Sequence, residues 1–225
     1  MAVGSVRTRE RVVAAASTLF AERGFHGTTV RDIAQRARVN LAAGHYHFGS
    51  KETLYLEVLR AQFADVMAEL EHRGARLAGR KRPGRAALRD LLRTRVAATL
   101  ELLLGPPPGL HGTLMMREMC DPSAALPDIV EQFIQPHKRD LEAIVAALLP
   151  RLGREQVERC VFSIVGQVFF YRQMEPALRV MLARRVLDRA WLLATAAHIT
   201  DFSLGGMDCI AAQRRGARTR RKGER

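Results

Sequence analysis

Residues 39–52 read VNLAAGHYHFGSKE. Ala42, Ala43 and Gly44 carry little or no side chain and directly precede His45, Tyr46, His47 and Phe48, and Gly49-Ser50-Lys51 breaks the run. A core helix would place Leu or Ile where the small residues stand, and a solvent-facing helix would place Glu, Lys or Gln. The stretch fits neither. It fits a helix that slides into the major groove of DNA, where small side chains let the backbone approach base edges and thymine methyls. The polar rings then reach the flanking phosphates.

The neighbouring sequence supports this reading. Val12, Ala15, Ala16, Leu19 and Phe20 fall on one face of a helix predicted over residues 8–23, and Gly24 is a favoured residue just past a helix end. Thr29 and Asp32 have the spacing of a capping box, opening a short helix whose apolar face is Val30, Ile33, Ala34 and Ala37. Only Arg38, Val39 and Asn40 separate it from the quoted stretch, so the pair reads as a helix-turn-helix. Ser50 caps a third, longer helix striped by Tyr55, Leu59, Phe63, Val66, Met67 and Leu70.

The rest of the chain is also helical in pattern. Residues 77–85 form a basic Pro/Gly linker, and Leu88, Leu91, Leu92, Thr99, Leu102 and Leu103 stripe the helix after it, up to GPPPG at 105–109. Helices are predicted over 111–120 and 127–149, the latter bent at Pro136. Two strongly striped helices, 156–174 and 187–206, close the body. Their stripes exceed what a monomer of this size buries, so they predict a two-fold dimer through an isologous four-helix interface.

The chain of 225 residues is 48% hydrophobic and 26% charged, which makes it globular. Its net charge of +13 points to a polyanionic partner. That charge is concentrated. Residues 1–60, 73–95 and 213–225 carry +4, +8 and +6, which leaves the remainder at −5. The last segment, with no apolar periodicity, is predicted to be a disordered basic tail that adds affinity for any duplex. Cys120, Cys160 and Cys209 form no C-x-x-C pair, which argues against a zinc ribbon or a disulfide framework and suits a cytoplasmic protein. No run is long and apolar enough to span a membrane, so no membrane partner is expected.

VRDIAQRARVNLAAGHYHFGSKETLYLEVL (30–59) resembles the DNA-binding domain of the TetR/AcrR family of bacterial repressors. The matching features are Thr28-Thr29, Ile33-Ala34, Val39, His47-Phe48, Gly49-Ser50-Lys51-Glu52 and Leu54-Tyr55. REMCDPSAAL (117–126) and SIVGQVFFYR (163–172) resemble the ligand-binding half of the CecR-like branch. Two positions depart from the family pattern. Arg38 stands at a turn position where the family commonly has Gly, and Gly44 stands where it usually has a packing Ile, Leu or Phe.

The resemblance implies an all-α fold. A three-helix DNA-binding domain is expected at 1–52, a helical effector-binding and dimerisation domain at 53–212 and the tail at 213–225. It implies a homodimeric repressor, released from a near-palindromic double-stranded operator by a small hydrophobic effector. The expected DNA-binding residues are Thr29, then Arg31, Asn40, Leu41, Ala42, Ala43 and His45 facing the groove or its lip, with Tyr46, His47 and Lys51 on phosphates. The expected effector residues are Phe63, Met67, Met115, Met119, Phe133, Phe162, Gln167 and Tyr171, an apolar lining with few polar anchors. The same aromatic and Met residues also read as plain core.

No G-x-S-x-G, P-loop, dinucleotide fingerprint or H-E-x-x-H occurs, so no enzyme is read. No cofactor or metal is expected, because His45 and His47 are two apart on a helix, point away from each other and lack a third ligand. A ligand-independent, largely non-specific nucleic-acid binder explains the charge but not the tailored groove face.

Overall fold

The computed structural model describes residues 2–40, 49–73, 77, 83–104, 111–183 and 187–223. Among them, every regular element is a helix, as the all-α expectation holds. In chain order these are α1 (Ala2–Arg23), α2 (Val30–Ala37), α3 (Lys51–His72), α4 (Arg85–Leu104), α5 (His111–Cys120) and α6 (Leu126–Ile129). A π-helical turn, Val130–Ile134, leads into α7 (Gln135–Leu148), followed by α8 (Arg154–Gln173), α9 (Glu175–Met181) and α10 (Arg189–Gly223).

The chain divides into two compact units: Met1–Ala68 with Pro106–Gln135, and Glu69–Gly105 with Pro136–Arg225. The sequence placed the first boundary at residue 52. The difference has a packing cause. Leu54, Tyr55, Val58 and Leu59 of α3 are all buried, and the Tyr55 ring lies edge-on to Phe20 of α1 at 4.9 Å and against Phe25 at 5.1 Å. The first turns of α3 are therefore part of the core that α1 and α2 build. Each such aromatic or aliphatic side chain contributes about 1.5–3 kcal/mol of burial.

In the first unit, α1 buries the stripe read from sequence, Val12, Ala15, Ala16, Leu19 and Phe20. It starts at Ala2, earlier than the predicted residue 8, since no proline interrupts residues 2–7. It ends at Gly24, whose φ of 75° is easy for glycine and whose N–H donates to the Phe20 carbonyl at 2.9 Å. α5 and the 121–125 segment dock on this core. Arg117 Nη2 donates to the Glu22 carbonyl at the end of α1, and the His26 ring lies 3.3 Å from the Pro122 carbonyl. In the π turn, Gln135 N–H reaches back five residues to the Val130 carbonyl. The sequence predicted a bend at Pro136; the irregularity lies one turn earlier, as a widened turn before a residue that has no N–H to donate.

In the second unit, α10 packs on α4 and α8, and α4 also packs on α8. Leu88, Leu91, Leu92 and Val96 of α4 meet the buried stripes of α8 (Val157, Cys160, Val161, Ile164, Val168) and of α10 (Leu192, Ala196, Ile199, Met207) in a common core. Arg95 is 2% exposed within it. Its guanidinium donates to Asp140 at 3.1 Å and to His137 Nδ1 at 3.1 Å, so the buried cation has both a counter-ion and an acceptor. Burial, and then the Arg95 charge, lower the His137 pKa to about 4. The predicted disordered tail is corrected by α10, which continues through Gly223. Ala, Arg, Gln and Lys dominate its end, and these are strong helix formers whose cations suit a helix C-terminus even without an apolar stripe.

Candidate nucleic-acid interface and effector residues

The helix-turn-helix is set up by local chemistry that is visible in the sequence. Thr29 has extended backbone (φ −105°, ψ 154°), its Oγ1 accepts from Asp32 N–H at 3.1 Å, and Asp32 Oδ2 accepts from Thr29 N–H at 3.1 Å. Both halves of the capping box are thus made. The side-chain hydrogen bond from Thr29 holds the Asp32 carboxyl below its usual pKa, with the Thr29 backbone bond next in effect. Thr28 is fully buried, with Oγ1 at 2.8 Å from the Gly24 carbonyl and 3.2 Å from that of Leu19.

α2 ends at Arg38, which has the left-handed backbone (φ 53°, ψ 47°) that the family pattern assigns to Gly. An L residue there costs about 1 kcal/mol. The turn is compensated by the Val39 N–H donating to the Ala34 carbonyl at 3.0 Å and by Arg11 of α1, whose Nη2 donates to the Arg38 carbonyl at 2.9 Å and also to that of Ala37. Residues 41–48 lie outside the described residues, so the expected placements of Leu41, Ala42, Ala43, His45, Tyr46 and His47 do too. Beyond them, Gly49 has φ 69°, and Ser50 Oγ accepts from Thr53 N–H at 3.1 Å to cap α3.

Of the other expected DNA residues, Thr29, Arg31 and Asn40 are exposed, at the start of α2 and at the end of the turn that leaves it. Lys51 is half-buried. Its Nζ donates to the carbonyls of Phe25 at 3.1 Å and Thr28 at 3.2 Å and stands 4.1 Å above the Phe25 ring. Two of its three N–H bonds therefore tie the start of α3 to the α1–α2 connection, a role that sequence spacing did not reveal. The contact spans 23 to 26 residues and carries no periodic signal.

The expected effector residues fall into two groups. In the first unit, Phe63 stacks on Phe133 at 4.6 Å, Met115 is buried and Met119 is 41% exposed; the side chain of Met67 lies outside the described residues. In the second unit, Phe162, Gln167 and Tyr171 lie along α8 and do not converge. Phe162 is 56% exposed, Gln167 Nε2 donates to Ser203 Oγ at 3.1 Å, and Tyr171 packs edge-on to Trp191 at 5.6 Å. Sequence reasoning missed Glu118, which is 1% exposed and one turn beyond Leu114 and Met115 on α5. The signal was present: an acidic residue sharing the apolar face of a short helix.

An outward face also stands out. Phe162, Gly166 and Phe170 of α8 are exposed at intervals of four, as are Ala194, His198, Phe202 and Gly205 near that spacing on α10. A methyl group added at Gly166, Gly205 or Gly206 would meet nothing within 4 Å. No group of three potential metal ligands occurs among the described residues.

Comparison with known proteins places both halves. Residues 12–58 match the family described as bacterial regulatory proteins, tetR family, and residues 88–207 match the C-terminal domain of the HTH-type transcriptional dual regulator CecR. The chain is 33% identical to the dual regulator CecR of Shigella flexneri over 154 residues, 65% of this chain and 67% of that protein. It is 41% identical to the repressor KstR2 of Rhodococcus jostii over 66 residues, 29% of this chain and 32% of that protein. Among solved structures, that of FadR from Bacillus subtilis in complex with stearoyl-CoA shares the fold with a TM-score of 0.64 at 15% identity, covering 88% of this chain and 98% of that one.

Proposed function

Because the chain belongs to the TetR family of bacterial transcriptional regulators, with a CecR-type C-terminal domain, we propose that it acts as a homodimeric repressor released from a near-palindromic operator by a small hydrophobic effector. The observation that carries this reading is the helix-turn-helix frame. A capped α2 with a left-handed turn at Arg38 precedes the small-residue segment 41–47 in the sequence, and a capped α3 follows it. Leu41, Ala42, Ala43 and His45 enter the groove with Arg31 and Asn40 at its lip, Thr29 presents the N-terminus of α2, and Tyr46 and His47 hold phosphates. Lys51 has one N–H left for a phosphate after its two carbonyl bonds.

Repression is supported by KstR2 and a dual role by CecR, each being the described activity of that relative. The dimer forms through the outward faces of α8 and α10, where Phe162, Phe170 and Phe202 are 54–68% exposed and the glycines permit close approach. Phe162 thereby moves from effector lining to pairing face. No helix among the described residues is long and apolar enough to cross a membrane; a bacterial repressor acting on an operator would work in the cytoplasm. Ala43→Glu puts a carboxylate against the groove floor and should abolish operator protection in a footprint, with an unchanged circular dichroism spectrum. Retained protection would remove residues 41–47 from the groove.

A further inference from the structure

Arg38 occupies a position where a side chain works against the fold. Its backbone is left-handed (φ 53°, ψ 47°), a conformation that glycine adopts freely and that a Cβ penalises. The turn is nevertheless made and held. Arg38 N–H donates to the carbonyls of Ala34 and Gln35, and Arg11 of α1 donates to those of Ala37 and Arg38. None of these bonds uses the Arg38 side chain, so glycine would make the same turn without the strain. A residue held against its backbone preference points to a use outside the fold. The side chain itself is free: it is exposed, and its guanidinium makes no hydrogen bond, ion pair or ring contact among the described residues. The neighbouring cations are engaged within the fold. Arg36 pairs with Glu22 at 3.4 Å, Arg23 pairs with Asp32 at 3.9 Å, and Arg11 is held by its two carbonyls.

We infer that Arg38 is a contact to the DNA backbone, its guanidinium donating to a phosphate at the lip of the groove in each half-site. The inference rests on the regulator reading above and adds a residue to its interface. In a helix-turn-helix the turn leads directly into the N-terminal residues of the recognition helix, the end that lies nearest the base edges and their bordering phosphates. Arg38 stands in that turn, three residues ahead of Leu41. A guanidinium presents parallel N–H groups in a fixed fork that matches phosphate oxygens. The bonds from Arg11 and to the α2 carbonyls fix the backbone beforehand, so binding orders the side chain alone. Such a contact sets register and adds affinity but reads no bases. The residue that makes the easiest turn carries no charge, and this chain has the charge.

The test compares full-length Arg38→Gly, Arg38→Gln and Arg36→Gln with the wild type by fluorescence anisotropy over a salt series. Two duplexes serve as probes: an inverted repeat selected from a random pool, and a random-sequence duplex. Arg38→Gly and Arg38→Gln should each weaken binding to both by about tenfold and leave their ratio unchanged. The dependence of log affinity on log salt should become shallower by about one unit per protomer. Arg36→Gln removes an equal charge that is already paired to Glu22, and it should cost less than about threefold. Arg38→Gly should at the same time raise the midpoint of denaturant unfolding, because it removes the strain, while Arg38→Gln leaves it near the wild-type value. A more stable protein that binds DNA more weakly is an outcome that a merely structural role does not produce. Unchanged affinity and salt dependence in Arg38→Gln would overturn the inference, as would an equal loss in Arg36→Gln, which would reduce the effect to net charge. A lowered midpoint in Arg38→Gly overturns it too, and so does a loss confined to the inverted repeat, which would make Arg38 a reader of bases. The wild type separates the two levels. A selected repeat that Arg38→Gln binds normally sinks this inference alone, and failure to select any repeat sinks the regulator reading.

Discussion

Gly27 has no room for a side chain, since a Cβ there would lie 2.4 Å from the Arg23 carbonyl oxygen. The contact is with backbone at the end of α1, so relief requires moving the connection that carries Thr28, Thr29 and the Lys51 anchor. Gly27→Ala should destabilise the protein by about 1–3 kcal/mol in denaturant titration. An unchanged midpoint would mean that the connection yields without cost. His137 makes a prediction of opposite sign to a salt-bridged histidine. Its pKa is about 4 in the folded chain against an ordinary 6.5, chiefly through burial and then through Arg95, with Asp140 acting the other way. The unfolded chain takes up this proton as pH falls below 6.5 and the folded chain resists it to about 4. Stability is therefore flat above that window and declines within it, by about 2 kcal/mol once solvent contact of the ring is discounted. His137→Gln should remove that part of the acid limb when the two proteins are unfolded side by side; identical slopes would contradict the assignment. Residue-level features were legible where their cause is local. The Thr29–Asp32 box joins residues three apart, and the turn at Arg38 is bonded to Ala34 and Gln35, three to four residues back. The Lys51 and Arg117 contacts depend on partners far away in sequence and left no local trace.

Helix faces were legible because burial repeats every three to four residues. The stripe read on α1 is buried, as are Val157, Cys160, Val161, Ile164 and Val168 of α8. On α10 the core uses Leu192, Ala196, Ile199 and Met207 and leaves Ala194, His198 and Phe202, also read as stripe, outward. Ends without a cap or breaker were not, and the basic tail shows why. Lack of an apolar face suggested disorder, but Ala, Arg and Gln favour helix by intrinsic propensity and α10 continues through Gly223. The charge argument for the tail is independent of that correction. Seven Lys/Arg against one Glu in residues 213–225 release counterions from any duplex. Deleting 213–225 should lower affinity for operator and random duplex by a similar factor, measured by fluorescence anisotropy at two salt concentrations, and leave their ratio unchanged. A lost operator preference would show that the tail reads bases. The π turn before Pro136 was legible only as an irregularity near a proline. Whether the chain kinks or widens depends on the partners of the neighbouring carbonyls.

Across the whole molecule, the sequence separated a DNA-binding start from a helical body at residue 52, and the first compact unit runs on to Ala68 and takes in Pro106–Gln135 as well. The division follows the burial of Tyr55 and Leu59 against α1 and the docking of α5 on the same core, which makes the first unit discontinuous in sequence. The pairing face proposed above rests on an outward apolar row of α8 and α10. Phe202 is 68% exposed on α10, stacked on His198, with Gly205 and Gly206 beside it. Phe202→Glu should shift the protein to monomer in sedimentation velocity at micromolar concentration. It should weaken operator binding by at least about tenfold, because each half-site then binds alone. A dimer that survives Phe202→Glu would place the interface elsewhere. The central claim, a dimer that reads sequence, is tested most directly by selecting bound duplexes from a random pool at physiological salt with residues 213–225 removed. The account predicts enrichment of an inverted repeat whose half-sites are about one helical turn, 34–36 Å, or a multiple of it apart. A pool that remains random while the protein still binds it would contradict the account.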